Sequence, residues 1–374
     1  LRYYLLDIIC CPVCRHSPLE LTELEESTAS LLPTWRVETG YLYCSACGRF
    51  YFIIEGIPRL ISEDFSELVD LEFARERSAA FAPHQEAFAT FLGRLGKQEG
   101  RSANAQWEIE DVSFWESQVY SDERSQGEYM KRVQRSRLDA GNRTYPREKY
   151  LFRHLRPYLS GRILLDIGCG FAQTIRVLCD PHVVGYNYVG ADLSLSALKV
   201  NRRTMVGDFV QCSADQLPFR DDCAHAVVLL GTLHHLTNQE NTLRRLLGLL
   251  RPGGMIALHE VARRARLADR LPGLRRHKLQ ESAHNDSVDS RLVLRVLSEQ
   301  SRIISFKREY SLIRALLSRW LAEPMRSRPW LTRAVLWLDD CFLATVGRLS
   351  PVMGGRAILV LARKLPSSAT PKSS

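Results

Sequence analysis

The sequence predicts an α/β protein in which a parallel-type sheet follows a small β-rich unit and a helical connector. Three observations carry this expectation. Beyond about Tyr150, apolar runs alternate with amphipathic segments, the pattern of strands and crossover helices. Within that region "RILLDIGCGFAQTIRVL" (162–178) reads as a strand, a glycine turn and a helix. Near the start, "CCPVC" and "YCSACGR" hold two CxxC pairs about thirty residues apart.

In chain order, residues 1–61 are strand-prone, with "GYLYC" (40–44) and "RFYFIIEGIPRLI" (49–61) as strands around turns. Such a unit is too small for a self-sufficient core. Residues 62–150 turn polar and helical: "SELVDLEFARERSAAF" (66–81) and "GEYMKRVQRSRL" (127–138) read as helices, and "GKQEGRSANAQ" (96–106) as a loop. In residues 151–364, "RILLDIG", "YVGADLS", "AHAVVLLG", "MIALHEV", "RIISFKREY" and "RAILVLARK" read as buried strands. The last two are separated by a long segment, 311–355, which demands structure of its own. The tail, 365–374, is expected to be disordered.

At 374 residues, 45% hydrophobic and 25% charged, the chain exceeds one average domain and can bury a sizeable core. No window offers about 18 uncharged apolar residues, so no transmembrane helix is expected. The opening "LRYYLLDIIC" lacks the pattern of a signal peptide. Ten cysteines without such a signal suggest a reducing compartment, and the reading is cytoplasmic. The formal charge is +9, and residues 263–364 alone hold 21 basic and 9 acidic residues. A basic partner surface is therefore expected in the C-terminal part.

Two CxxC pairs let four thiolates converge on zinc, and metal binding can supply folding energy that a sixty-residue unit lacks. Cys11, Cys14, Cys44 and Cys47 are the expected ligands. Cys10 leaves a second register open, and a redox pair or buried free thiols are the alternatives. "LLDIICCPVCRHSPLEL" with "YLYCSACGRFYFIIEGIPRLI" resembles the small zinc-ribbon family that activates partner methyltransferases in eukaryotes and is also found fused to them in bacteria. The resemblance covers residues 5–61 and implies the ribbon fold.

In the large domain Asp166 ends the first strand, while Gly168 and Gly170 allow close backbone approach to a ligand. Gln173 replaces the third glycine of a dinucleotide fingerprint, which argues against a pyrophosphate seated on the helix. Asp192 in "YVGADLS" stands at the next strand end, where a carboxylate can accept from ribose hydroxyls. "VQCSADQLPF" with Asp215, "VVLLGTLHHL" and "LLRPGGMIALHE" then follow in order. Together these stations resemble the class I S-adenosylmethionine-dependent methyltransferases over about 150–261, with Ala172 replacing a frequent further glycine. The resemblance implies a Rossmann-like sheet. It implies that Asp166, Gly168 and Gly170 line the methionine end of S-adenosylmethionine, that Asp192 binds the ribose and that Asp215 faces the adenine amino group. Tyr145 and Arg147, in a helix expected to begin at Pro146, are candidates for the cofactor carboxylate. Trp107 and Trp115 are read as pocket-closing or core residues.

An oxygen nucleophile needs its proton removed. His234 and His235 follow the fourth strand and Glu260 lies near the end of the fifth, so a His oriented by Glu can act as general base. His235 with Glu260 resembles a dyad of some sugar O-methyltransferases of this class, and these two are the expected catalytic pair. In 311–355, Trp320, Trp330 and Trp337 lie among leucines and arginines, as in a helix lying on an anionic membrane surface; a lid or a homodimer face is the alternative. The function expected is O-methylation of a small-molecule or lipid-linked acceptor, of sugar or polyprenyl type, with peripheral association at the inner membrane face. RNA or protein methylation, with the ribbon recognising the substrate, is the alternative reading. A non-catalytic scaffold is a third, disfavoured by the intact acids.

Overall fold

The structure is a computed structural model that describes residues 1–24, 36–96, 102–118, 122, 125–128, 151–172, 175, 185–262, 288–309, 321, 324, 328–345 and 357–366. Strands β1 (Glu20–Glu23), β2 (Gly40–Cys44), β3 (Arg49–Ile54) and β4 (Ile57–Pro58) form an antiparallel sheet in that order. Alternation places successive side chains on opposite faces. Leu42, Cys44, Tyr51 and Ile53 join the core beneath the large domain. Tyr41, Phe50 and Phe52 pack instead on Phe73, Phe81, Phe88 and Phe91 of the connector, with the Phe81 and Phe88 rings stacked at 3.9 Å. With both faces covered, the small sheet needs no large core of its own.

The described residues of the connector are largely helical, but the helix is broken. Helix α1 (Leu71–Glu76) starts at Asp70, whose side chain accepts from the Phe73 amide at 3.0 Å; short 3₁₀ segments, Glu63–Leu68 and Ser78–His84, flank it. One continuous helix over 66–81 is thus replaced by short pieces, of which α1 is capped, because an aspartate that satisfies the amides of a new helix ends the previous one. Helices α2 (Gln85–Leu95) and α3 (Ala103–Gln118) follow, and α3 takes up the end of the stretch expected to be a loop.

Seven strands form the large sheet in the order β10-β11-β9-β8-β5-β6-β7. They are β5 (Ile163–Ile167), β6 (Asn187–Asp192), β7 (Asp208–Gln211), β8 (Ala224–Leu230), β9 (Leu250–Val261), β10 (Ser301–Glu309) and β11 (Ala357–Lys364). Strands β5 to β9 are parallel, and β11 runs antiparallel between β9 and β10. The central strands are apolar on both faces: Leu165, Val227 and Leu258 enter one core, Leu164, Val228 and Ala257 the other. Capped helices α4 (Leu195–Thr204, Ser194 cap), α5 (Gln239–Leu249, Asn238 cap) and α6 (Ser290–Gln300, Asp289 cap) alternate with them. The chain winds outward through β5, β6 and β7, then returns to β8. The carboxyl ends of β5 and β8 therefore border a crevice at the switch point.

The small sheet closes the β7 edge. The Leu60 amide donates to Gln211 O (2.8 Å), the Cys10 amide to Pro218 O (2.8 Å) and the Arg220 amide to Ile8 O (2.7 Å), with bridges Arg59–Gln211 and Ile9–Phe219. Arg2 Nε (2.7 Å) and Tyr4 Oη (2.6 Å) donate to Asp208 Oδ2, and Arg59 Nε to Gln211 Oε1 (2.8 Å).

Of the segment 311–355, helix α7 (Pro329–Ala344) is described; Trp330 is 64% and Trp337 65% exposed, and Trp320 lies outside the described residues. No helix among the described residues is long and apolar enough to cross a membrane.

Asp208→Ala would leave Arg2 and the Tyr4 hydroxyl without their shared acceptor at a nearly closed interface. Urea unfolding is expected to show a loss of about 2–4 kcal/mol. An unchanged midpoint would mean that backbone pairing alone holds the edge.

Candidate active site

At the switch point lies a cavity of about 240 Å³, walled by Asp166, Gly168, Gly170 and Asp192 from the large domain and by Glu108 and Asp111 from the connector. The glycine turn is shaped for it. Gly168 (φ 65°) and Gly170 (φ 47°) take the left-handed region, and a Cβ on Gly168 would lie 2.2 Å from Thr232 Oγ1. Ala172 also has positive φ, 51°. That explains why glycine suits this position, and the alanine bears about 1 kcal/mol of backbone strain.

Asp166 accepts from the Tyr188 hydroxyl at 2.7 Å. Asp192 accepts from the Gly170 amide (2.7 Å) and the Ser194 amide (2.9 Å), which ties the end of β6 to the glycine turn. Burial raises its pKa despite these bonds. Each Asp192 oxygen keeps a second lone pair for a ligand hydroxyl. An acidic wall around an otherwise largely apolar hollow suits a ligand that joins cationic groups to a flat base, so these residues fit S-adenosylmethionine.

Two expected site residues sit differently. Asp215 is not on the cavity wall: its Oδ1 accepts from Thr242 Oγ1 at 2.9 Å, and Oδ2 is buried without a hydrogen bond. Glu108 holds the wall there, accepting from Ser213 Oγ at 2.8 Å. Burial, and then the charge of Asp215, push the Glu108 carboxyl up to about 8. The second difference concerns the histidines. Glu260 pairs with His234, not His235: Oε2 lies 2.9 Å from His234 Nδ1, while Oε1 accepts from the Thr232 (3.0 Å) and Leu233 (2.9 Å) amides. Leu233–His235 is a 3₁₀ turn, in which adjacent side chains diverge by about 120°, so His234 turns back to β9 and His235 to the cavity. Arg147 and Tyr145 lie outside the described residues.

Helix α3 carries residues that the sequence reading missed or left as packing. Trp107 Nε1 donates to His235 O (2.8 Å), and Trp115 lines the cavity edge-on to the His235 ring. Glu116 accepts from Ser194 Oγ (2.6 Å), and Asp111 Oδ1 lies 3.4 Å from His235 Nδ1. The available signal was the spacing of Ala105, Glu108, Ile109 and Val112, a buried helical stripe interrupted by an acid.

Cys11, Cys14, Cys44 and Cys47 converge, with all four sulfurs within 4.8 Å of one another. The pairs Cys11–Cys47 (3.6 Å) and Cys14–Cys44 (3.5 Å) have about the edge length of a tetrahedral tetrathiolate. The residues therefore fit zinc. Cys10 is outside the cluster; it is buried, its amide is committed to Pro218, and burial raises its thiol to about 11. Tyr51 Oη, 3.0 Å from Cys11 Sγ, supports one ligand from behind.

Residues 165–258 match the methyltransferase domain family, and residues 2–56 match the Trm112p-like protein family. A human protein named probable tRNA methyltransferase 9B is 26% identical over 124 residues, which are 32% of this chain and 25% of that protein. A demethylmenaquinone methyltransferase from Clavibacter sepedonicus is 34% identical over 106 residues, 27% of this chain and 42% of that one. The chain thus spans between a quarter and under half of the length of these relatives. Among solved structures, a complex between the Haloferax volcanii Trm112 methyltransferase activator and a methyltransferase aligns with TM-score 0.39 and 15% identity over 60% of this chain and 92% of that one.

Metal analysis of protein purified without added zinc is expected to find one zinc per chain. Cys44→Ser or chelation is expected to lower the melting temperature, and metal-free protein of unchanged stability would refute the site. A second test uses Glu108. Its folded pKa, about 8, lies above its ordinary value, so the folded state holds the extra proton between about pH 4.5 and 8. Stability is then highest below that window and falls as pH rises through it. Glu108→Gln is expected to flatten that fall by a few kcal/mol in ligand-free protein, of order one per pH unit. Parallel pH profiles for wild type and variant would refute a neutral Glu108.

Proposed function

We propose that this chain, in which a Trm112p-like domain precedes a class I methyltransferase domain, methylates a nucleoside of RNA, with tRNA as the substrate class and S-adenosylmethionine as the methyl donor. The observation that carries the reading is the pairing of a Trm112p-like ribbon with a catalytic domain similar to a protein named as a tRNA methyltransferase. The formal charge of +9 suits a polyanionic substrate. The expectation of a small or lipid-linked acceptor gives way on these grounds. A quinone-type acceptor stays as the second reading, because the demethylmenaquinone methyltransferase has the higher identity.

S-adenosylmethionine supplies, when bound, a methyl carbon activated by a neighbouring sulfonium. The chain's part is binding, orientation and proton handling. Asp166 and the Gly168–Gly170 turn hold the amino-acid end, and Asp192 accepts from the ribose. Glu108, in the place expected for Asp215, meets the base. Trp115 and Phe171 exclude water from the hollow. His235, on the cavity wall, receives the acceptor's proton where the attacking atom carries one.

Labelled S-adenosylmethionine offered with unfractionated tRNA or with a demethylated prenylquinone separates the acceptors. Ribonuclease-sensitive label in tRNA is expected, and label in the quinone alone would overturn the RNA reading. Asp192→Ala is expected to cost about 1.5–3 kcal/mol of cofactor affinity by calorimetry; unchanged affinity would overturn its ribose role.

A further inference from the structure

We infer that Asp111 of the connector helix, not Glu260, is the positioning residue for His235. This deepens the methyl-transfer reading and rests on it. Glu260 is engaged elsewhere: Oε2 meets His234 Nδ1 and Oε1 accepts from the Thr232 and Leu233 amides, all from the turn that carries both histidines. Asp111 is placed for the task. Its Oδ1 is buried, has no hydrogen bond and lies 3.4 Å from His235 Nδ1. A buried carboxylate oxygen without a donor is costly, so an N–H at that distance is its natural partner. A shift of about half an ångström completes the bond.

The helix around Asp111 is fastened on both sides of the pair. Trp107 Nε1 grips the His235 carbonyl one turn before, and Glu116 holds Ser194 and the Ser196 amide (3.3 Å) at the start of α4. Among the described residues, the neighbouring titratable groups are held by other partners. His234, whose ring lies 4.1 Å away, is held by Glu260, and Glu108 is held by Ser213. Asp192 is bound to the Gly170 and Ser194 amides.

The consequence is a defined tautomer. With Asp111 accepting from Nδ1–H, Nε2 is the ring nitrogen that carries the lone pair. In the transfer, the acceptor's lone pair forms the bond to the methyl carbon while the carbon–sulfur bond breaks and its electron pair stays on sulfur. The proton on the attacking atom passes to Nε2, and the imidazolium so formed faces the Asp111 carboxylate.

The test uses full-length protein with ¹⁵N-labelled histidine and saturating S-adenosylhomocysteine, so that ring-nitrogen shifts report the tautomer without an acceptor. Wild type is expected to show His235 protonated at Nδ1. In Asp111→Asn the amide can donate to Nδ1, and the Nε2–H form is expected to take over. Asp111→Glu, which restores a carboxylate, is expected to recover Nδ1–H. Turnover of labelled S-adenosylmethionine with tRNA is expected to fall about 10²-fold in Asp111→Asn with KM unchanged. A His235 tautomer that ignores Asp111→Asn, or that switches in Glu260→Gln instead, overturns the inference. A tautomer switch together with wild-type protein that labels no tRNA supports the positioning role and overturns only the RNA reading.

Discussion

The free backbone edge of β7 is the constraint on which the arrangement depends. An edge strand offers unpaired amides and carbonyls that invite foreign pairing, and a ribbon of some sixty residues buries a comparatively small share of its apolar surface by itself. Each solves the other's problem. The Leu60 amide continues the ladder at Gln211, the Cys10 and Arg220 amides pair across the interface, and Leu5, Ile9 and Tyr51 share one core with Val210 and Phe219. In the same ribbon, Cys11 and Cys14 meet Cys44 and Cys47 at a spacing that fits a metal ion.

The docking also decides where the connector goes. The ribbon ends at Leu60, beside Gln211 at the carboxyl end of β7, the end on which the crevice opens. Aromatic packing of Phe73, Phe81, Phe88 and Phe91 on the back of the ribbon keeps the connector close, and α3 returns over the cavity. Half of the acidic wall thus comes from outside the sheet, with Glu108 and Asp111 facing Asp166 and Asp192. Acids on both sides of a hollow favour a cationic ligand over an anionic one, while burial, and then the charge of Asp215, raises the Glu108 carboxyl.

Much of this was legible in the residues. Six apolar runs became strands β5, β6, β8, β9, β10 and β11, because buried central strands must be apolar on both faces and their neighbours need turn signals. The CxxC spacing read correctly because a chelate requires it, and structure settled the register by committing Cys10 to the interface. The helical reading of 66–81 failed in part, since a local cap at Asp70 outweighed the periodicity.

By itself, the sequence determined the elements and motifs whose information is local: the glycine turn, the strand-end acids Asp166 and Asp192, and the paired cysteines. Tertiary structure decided which side chains meet. His234 and His235 are adjacent in sequence, yet a 3₁₀ turn sends one to Glu260 and the other to the cavity. Asp111 reaches His235 across more than a hundred residues, and Glu108 takes the wall position expected of Asp215. Such pairings depend on how a helix is carried back over the sheet, and spacing along the chain does not encode a contact made through the docking of a separate unit.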